Sequence, residues 1–182
     1  GAGIGGLSAA VALRNAGIAC EVFEAVKEIK PVGAAISIWP NGVKCMNRLG
    51  MGKIIDAYGG PMHYLAYKEY QRGETLTRFS LAPLVERTQG RPSPVSRTEL
   101  QREMLDFWGR EQVQFDKRVT RVEEHTDGVT VWFTDGSEAH GDVVIAADGS
   151  HSALRPYVLG YTPERRYAGY VNWNGLVDID ES

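Results

Sequence analysis

Apolar residues recur at helical spacing near the start of the chain, where Leu7, Ala10, Val11 and Leu13 fall between Gly5 and Ala16. That spacing predicts a slim helix, and Gly17 stands where a left-handed glycine would end it. The short run from Ala19 to Glu24 then reads as a strand. Pro31 and Gly33 open a loop, and Pro40-Asn41-Gly42 introduces a second helix with Val43, Met46 and Leu49 on one face and Gly50 at its end. Within residues 61–81, Tyr64, Tyr67, Tyr70, Leu76 and Phe79 surround Arg72-Gly73-Glu74, the pattern of a hairpin. Ser96 and Glu99 form a capping box ahead of Leu100, Met104 and Trp108, which recur on one helical face. Residues 112–147 read as a meander, with turns at Thr126-Asp127-Gly128 and Thr134-Asp135-Gly136. Its last run, residues 143–147, is apolar throughout, as in a strand buried on both faces. Parallel-type strands among helices, with inserted hairpin material, predict an α/β fold with a second layer.

Composition narrows the function more than the fold. Of 182 residues, 43% are hydrophobic and 24% charged, a globular chain with apolar material for one domain and part of another. A net charge of -3 argues against proteins that grip nucleic acid or a membrane surface through a basic face, and neither partner is expected. No run approaches the roughly 18 consecutive apolar residues of a membrane span. Cys20 and Cys45 form no CxxC pair and have no histidine at ligand spacing. Neither a disulfide framework nor a metal site is therefore expected, and a reducing cytoplasm suits them. His63, His125, His140 and His151 stand singly on predicted loops and strands, where structural roles are the default.

The glycines say more. Gly1-Ala2-Gly3-Ile4-Gly5-Gly6 runs directly into the first helix. In a phosphate-binding turn Gly1 permits the tight bend, Gly3 lets the backbone approach a pyrophosphate, and Gly6 lets helix and strand pack closely. The helix behind the loop aims its N-terminal N–H groups and positive dipole end at the phosphates. Glu24 closes the next strand 18 positions after Gly6, where a carboxylate can hydrogen-bond a ribose hydroxyl. The same carboxylate disfavours a 2′-phosphate, so this site predicts a dinucleotide other than NADP; the loop leaves open which one. A phosphate turn needs a strand feeding it, and none precedes Gly1, while residues 170–177 end the chain in a strand-like stretch. Both features predict an internal piece of a longer protein.

A second motif, Asp148-Gly149-Ser150-His151-Ser152-Ala153-Leu154-Arg155, follows the apolar run 143–147 without a break. Apolar strand, Asp-Gly, two residues, Ser, two residues, Arg: this pattern resembles the Asp-Gly motif of single-component flavoprotein monooxygenases, the p-hydroxybenzoate hydroxylase class. With the glycine loop upstream, the whole chain looks like the N-terminal half of that class. Three longer stretches are similar to the class members that hydroxylate urate. They are Lys30-Pro31-Val32-Gly33-Ala34-Ala35-Ile36-Ser37, Trp39-Pro40-Asn41-Gly42-Val43-Lys44-Cys45-Met46 and Gly169-Tyr170-Val171-Asn172-Trp173-Asn174-Gly175.

The resemblance implies a Rossmann-like FAD-binding domain with an inserted antiparallel-sheet substrate domain, incomplete here. Residues 1–60 and 82–165 would belong to the first, and 61–81 with 166–182 to the second. It implies FAD as cofactor, NADH as co-substrate, O2 as oxidant, urate as substrate and 5-hydroxyisourate as product. By position, Gly3, Gly5 and Gly6 would face the FAD pyrophosphate, and Glu24 the adenosine ribose with Ala25 beside it. Ser37 would lie near the flavin, Arg97 at the phosphate–ribityl region, Val119 against the adenine through its backbone, and Asp148 at the ribityl chain. For Arg97 there is a separate physical argument, since a cation at a helix N-terminus is unfavourable without an anionic partner. No catalytic residue is expected within the chain. The arginine that holds urate and the family's later Gly-Asp motif are expected beyond Ser182. The same cofactor motifs suit an aromatic-ring hydroxylase of the salicylate or 3-hydroxybenzoate type, or a binding module that holds FAD or NAD without turnover. Those alternatives stay open.

Overall fold

The computed structural model describes residues 1–30, 33 and 35–171. In chain order its elements are α1 (Ile4–Asn15), β1 (Val22–Phe23), β2 (Ala35–Ile38), α2 (Pro40–Arg48), α3 (Gly52–Tyr58), β3 (Tyr64–Lys68), β4 (Thr75–Ser80), α4 (Ala82–Thr88) and β5 (Ser93–Ser96). There follow α5 (Arg97–Trp108), a single 3₁₀ turn, β6 (Val113–Gln114), β7 (Val119–His125), β8 (Gly128–Phe133), β9 (Glu138–Gly141) and α6 (Arg155–Leu159). The described residues fall into two compact units, 1–30 with 101–171 and 33 with 35–100.

In the first unit, α1 forms where the apolar spacing predicts it and buries Leu7, Ala10 and Val11. Gly17 takes φ +75° and ends it, its N–H donating to the Arg14 carbonyl. The strand expected over residues 19–24 is confined to β1, because its parallel partner β6 is equally short: Val22 lies opposite Val113 and Phe23 opposite Gln114. Hydrogen bonds carry the pairing further, from the Glu24 N–H to the Gln114 carbonyl and from the Lys117 N–H to the Glu24 carbonyl. The antiparallel meander β7-β8-β9 buries Val129, Val131 and Phe133, and Phe133 packs on Phe23 with ring centroids 4.7 Å apart. Both predicted turns are present, with Gly128 and Gly136 at positive φ.

One strand expectation fails. Residues 143–147 lie outside any sheet, with Val143 78% and Ile145 52% exposed. Apolar side chains alone do not make a strand; a ladder needs a partner for its N–H and C=O groups. Among the described residues no strand supplies one. Of the strand-like terminal stretch, residues 170 and 171 are irregular and 172–177 lie outside the described residues.

In the second unit, β2 and β5 pair antiparallel from Ala35 opposite Ser96 to Ile38 opposite Ser93. Pro40 starts α2, as its fixed φ and missing N–H favour. Met46, Met51, Ile54, Ile55, Leu81 and Val95 are buried. The buried Ser93 hydroxyl donates to the Gly60 carbonyl at 3.3 Å, so its polar group is satisfied. The predicted hairpin is β3-β4, with Leu65 opposite Phe79 and a register shift at Tyr67/Lys68; nearly all its side chains are exposed. The short helices α3 and α4 were not marked by periodicity, being too brief for one face to repeat.

Candidate functional site

The loop ahead of α1 is shaped by close backbone contact. A Cβ on Gly6 would stand 1.8 Å from the Gly1 carbonyl oxygen, and one on Gly1 would stand 2.7 Å from the Ala147 carbonyl oxygen. Ala2 is fully buried, and its carbonyl accepts the Gln101 side-chain amide at 3.0 Å. Gly3 and Gly5 differ: a Cβ on either would meet nothing within 4 Å. α1 begins after Gly3 with no side-chain cap and no acidic residue in its first turn. Its leading N–H groups are thus capped by no side chain and face no acid in their own turn, which is the chemistry of a phosphate cradle.

Glu24 reaches the same loop. Its Oε2 accepts the Ala2 N–H at 2.7 Å, and its Oε1 accepts the Val26 N–H at 3.1 Å. A carboxylate has about four acceptor positions, so roughly two remain for hydroxyls of a ligand. Ala25, half-buried, follows it. Val119 opens β7, an edge of the three-stranded sheet, so the backbone groups on its outer side have no partner within the sheet.

The Asp148 turn adjoins the loop through Ala147. Asp148 Oδ2 accepts the Leu154 N–H at 3.1 Å, and the Ser152 hydroxyl also donates to this carboxylate. Ser152 Oγ accepts the Arg155 N–H at 2.9 Å, and the Arg155 guanidinium folds back onto the Ser150 carbonyl at 3.0 Å. Burial pushes the Asp148 carboxyl up, but the hydrogen bonds from Ser152 and the backbone outweigh it and hold the group below its ordinary range. All the side chains that define the motif thus lock one turn, with Gly149 at φ +81°.

In the second unit, Ser37 is exposed on β2 opposite Pro94. Arg97 opens α5 immediately after β5, and Ser96 Oγ accepts the Glu99 N–H at 3.4 Å, the capping contact read from the sequence. Gly33 lies against Arg97, where a Cβ would be 3.3 Å from Nη1 and 3.4 Å from Cδ. None of the ion pairs among the described residues includes Arg97. The cation sits at a helix start, with Glu99 the acidic residue of the same first turn. The first unit therefore brings Glu24, with Ala25 beside it, and the Asp148 turn to the glycine loop and carries Val119 on β7, and the second brings Arg97 to Gly33.

Gln101, which pins the loop through Ala2, escaped the sequence reading because a glutamine inside a helix carries no spacing signature. The histidines bond locally: His125 Nε2 and His140 Nδ1 both contact the buried Thr130 hydroxyl, at 3.0 and 2.9 Å, and His151 contacts Arg165. Among the described residues no group of three His, Cys, Asp or Glu side chains is placed to hold a metal ion, and no helix is long and apolar enough to cross a membrane.

Known proteins are similar to this chain in sequence and in fold. The FAD binding domain family matches residues 1–174. An FAD-dependent urate hydroxylase of Klebsiella oxytoca is 82% identical over 100% of this chain and 47% of its own length. Another, from Mycolicibacterium vanbaalenii, is 47% identical over the same shares. The crystal structure of Klebsiella pneumoniae HpxO complexed with FAD and uric acid aligns with a TM-score of 0.92 at 73% identity, covering 100% of this chain and 46% of that one. The chain spans just under half the length of these relatives.

Proposed function

The chain belongs to the FAD binding domain family, and from that premise we propose that the protein carrying it is a flavin-dependent monooxygenase that hydroxylates urate. The observation that carries the cofactor reading is the uncapped start of α1, where Gly3 and Gly5 leave open space next to the loop that Glu24 holds. The leading N–H groups of α1 bind the pyrophosphate, with Gly3, Gly5 and Gly6 facing it. Glu24 accepts from the adenosine ribose with Ala25 beside it, and the free backbone edge at Val119 meets the adenine. Arg97 neutralises the phosphate–ribityl region through a charge-assisted contact. Asp148, kept ionised by its turn, accepts from the ribityl hydroxyls, and Ser37 lies on the flavin side.

FAD bound there supplies hydride acceptance from NADH and activation of O2, chemistry no side chain provides. The balance is urate, O2, NADH and one proton giving 5-hydroxyisourate, NAD⁺ and water. The described residues contribute binding and orientation of the cofactor. Residues 1–60 and 82–165 form the cofactor-binding part in this reading, and 61–81 with 166–182 contribute to the substrate sheet.

Identity of 82% and 47% to two urate hydroxylases supports urate over an aromatic acid. The test is steady-state NADH oxidation by the full-length protein with urate and with simple phenolic acids, assaying peroxide alongside. Urate should accelerate NADH consumption without equivalent peroxide. Acceleration by a phenolic acid and not by urate would move the assignment to an aromatic-ring hydroxylase.

A further inference from the structure

Glu24, just after β1, and Val119, opening β7, are the two proposed adenosine contacts, and one residue ties them together. The Lys117 N–H donates to the Glu24 carbonyl at 2.8 Å, and Val119 follows two positions later. The Lys117 ammonium pairs with the Asp135 carboxylate and donates to Ser137 Oγ at 2.6 Å, both in the turn between β8 and β9, and only 20% of its side chain is exposed. The same ammonium lies 5.5 Å from the centroid of Phe133, the ring that packs on Phe23, the neighbour of Glu24. The turn is tied back to the segment, since the Thr134 N–H donates to the Arg118 carbonyl at 2.9 Å. Asp135 is fixed in turn by Ser137, whose N–H and hydroxyl both donate to Oδ1. Just upstream, Asp116 holds φ +60°, the left-handed region that aspartate tolerates better than most L residues, and so turns the chain into this crossover.

We propose that Lys117 is a positioning residue for the adenosine half of the cofactor: by clamping the 116–119 crossover to the β8–β9 turn, it sets the backbone of Val119 relative to Glu24. The proposal rests on the FAD reading above. An exposed ion pair is ordinarily worth little. This one is mostly covered on the lysine side, has a second acceptor, and restrains two ligand contacts at once, so its effect appears in binding.

The test uses flavin-stripped full-length protein, titrated with FAD and, in competition, with ADP, at a temperature well below the melting point. Lys117→Met keeps the apolar stem against Phe133 and removes the charge-assisted bonds; Asp135→Asn removes the partner charge while keeping its shape. Each should weaken both FAD and ADP by about tenfold. The double variant should lose no more than either single one, because the two act as a unit. Lys117→Arg, which can still pair with Asp135, should restore binding to within about twofold. A merely structural ion pair would lower Tm and leave ADP affinity unmoved. Parental ADP and FAD affinity in Lys117→Met, losses that add in the double variant, or no rescue by arginine would each overturn the role. A parent protein that takes up no FAD would sink the cofactor reading, and this proposal with it.

Discussion

Neighbouring glycines in the loop answer to different demands. Gly6 has no room for a methyl group, since the Gly1 carbonyl occupies the place. Gly6→Ala should therefore cost the loop its geometry, seen as loss of soluble folded protein. Gly5 has space for one within the first turn of α1. Gly5→Ala should leave Tm unchanged or raise stability by up to about 1 kcal/mol, as alanine is the better helix former. Its FAD affinity should nonetheless fall, because the methyl takes space assigned to the pyrophosphate. Parental affinity in a flavin-fluorescence titration would mean that no phosphate lies over that residue. Arg97→Ala should keep its circular dichroism and weaken FAD retention about tenfold or more, as a charge-assisted contact is lost. Retention equal to the parent's would make Arg97 a surface arginine.

Elements are held at their ends as much as along their faces. Arg14, in the last turn of α1, donates to the Trp108 and Phe107 carbonyls at 3.0 and 3.3 Å and stacks 4.8 Å from the Trp108 ring centroid, closing the C-terminus of α5. Arg14→Met should destabilise by about 1 kcal/mol, read as a lower Tm with FAD affinity unchanged. The turn leading into α6 gives a pH signature. Its Asp148 carboxyl is held below the ordinary value of 3.8, so the stability it contributes is complete above that value and is lost as the pH falls below it. Asp148→Asn should consequently flatten the decline of Tm on acidification below about pH 4 relative to the parent. Identical slopes would show that the turn adds nothing to folding. The sequence marked those elements whose signals are local: the periodicity and terminal glycine of α1, the capping box of α5, the proline opening α2 and the turns of the meander. It misjudged residues 143–147, where composition was right for a buried strand and a pairing partner was needed to make one.

For the whole molecule, the expectation is a full-length protein that purifies yellow and releases FAD, rather than FMN or NAD, on denaturation. Glu24 and the pyrophosphate loop serve the adenine half that FMN lacks. Chromatography of the released cofactor decides it. The α/β class, the glycine loop, the distance from Gly6 to Glu24 and the Asp148 turn could all be read from the sequence by itself. Each depends on residues a few positions apart, or on motifs whose geometry is the same wherever they occur. Only the tertiary structure decided that Glu24 closes on the Ala2 N–H 22 positions away, that Gln101 holds the Ala2 carbonyl across 99, and that Lys117 reaches Asp135 across 18. Such bonds depend on where separate elements come to rest, and hydrogen-bond donors and acceptors that meet across the fold leave no periodic trace in the chain.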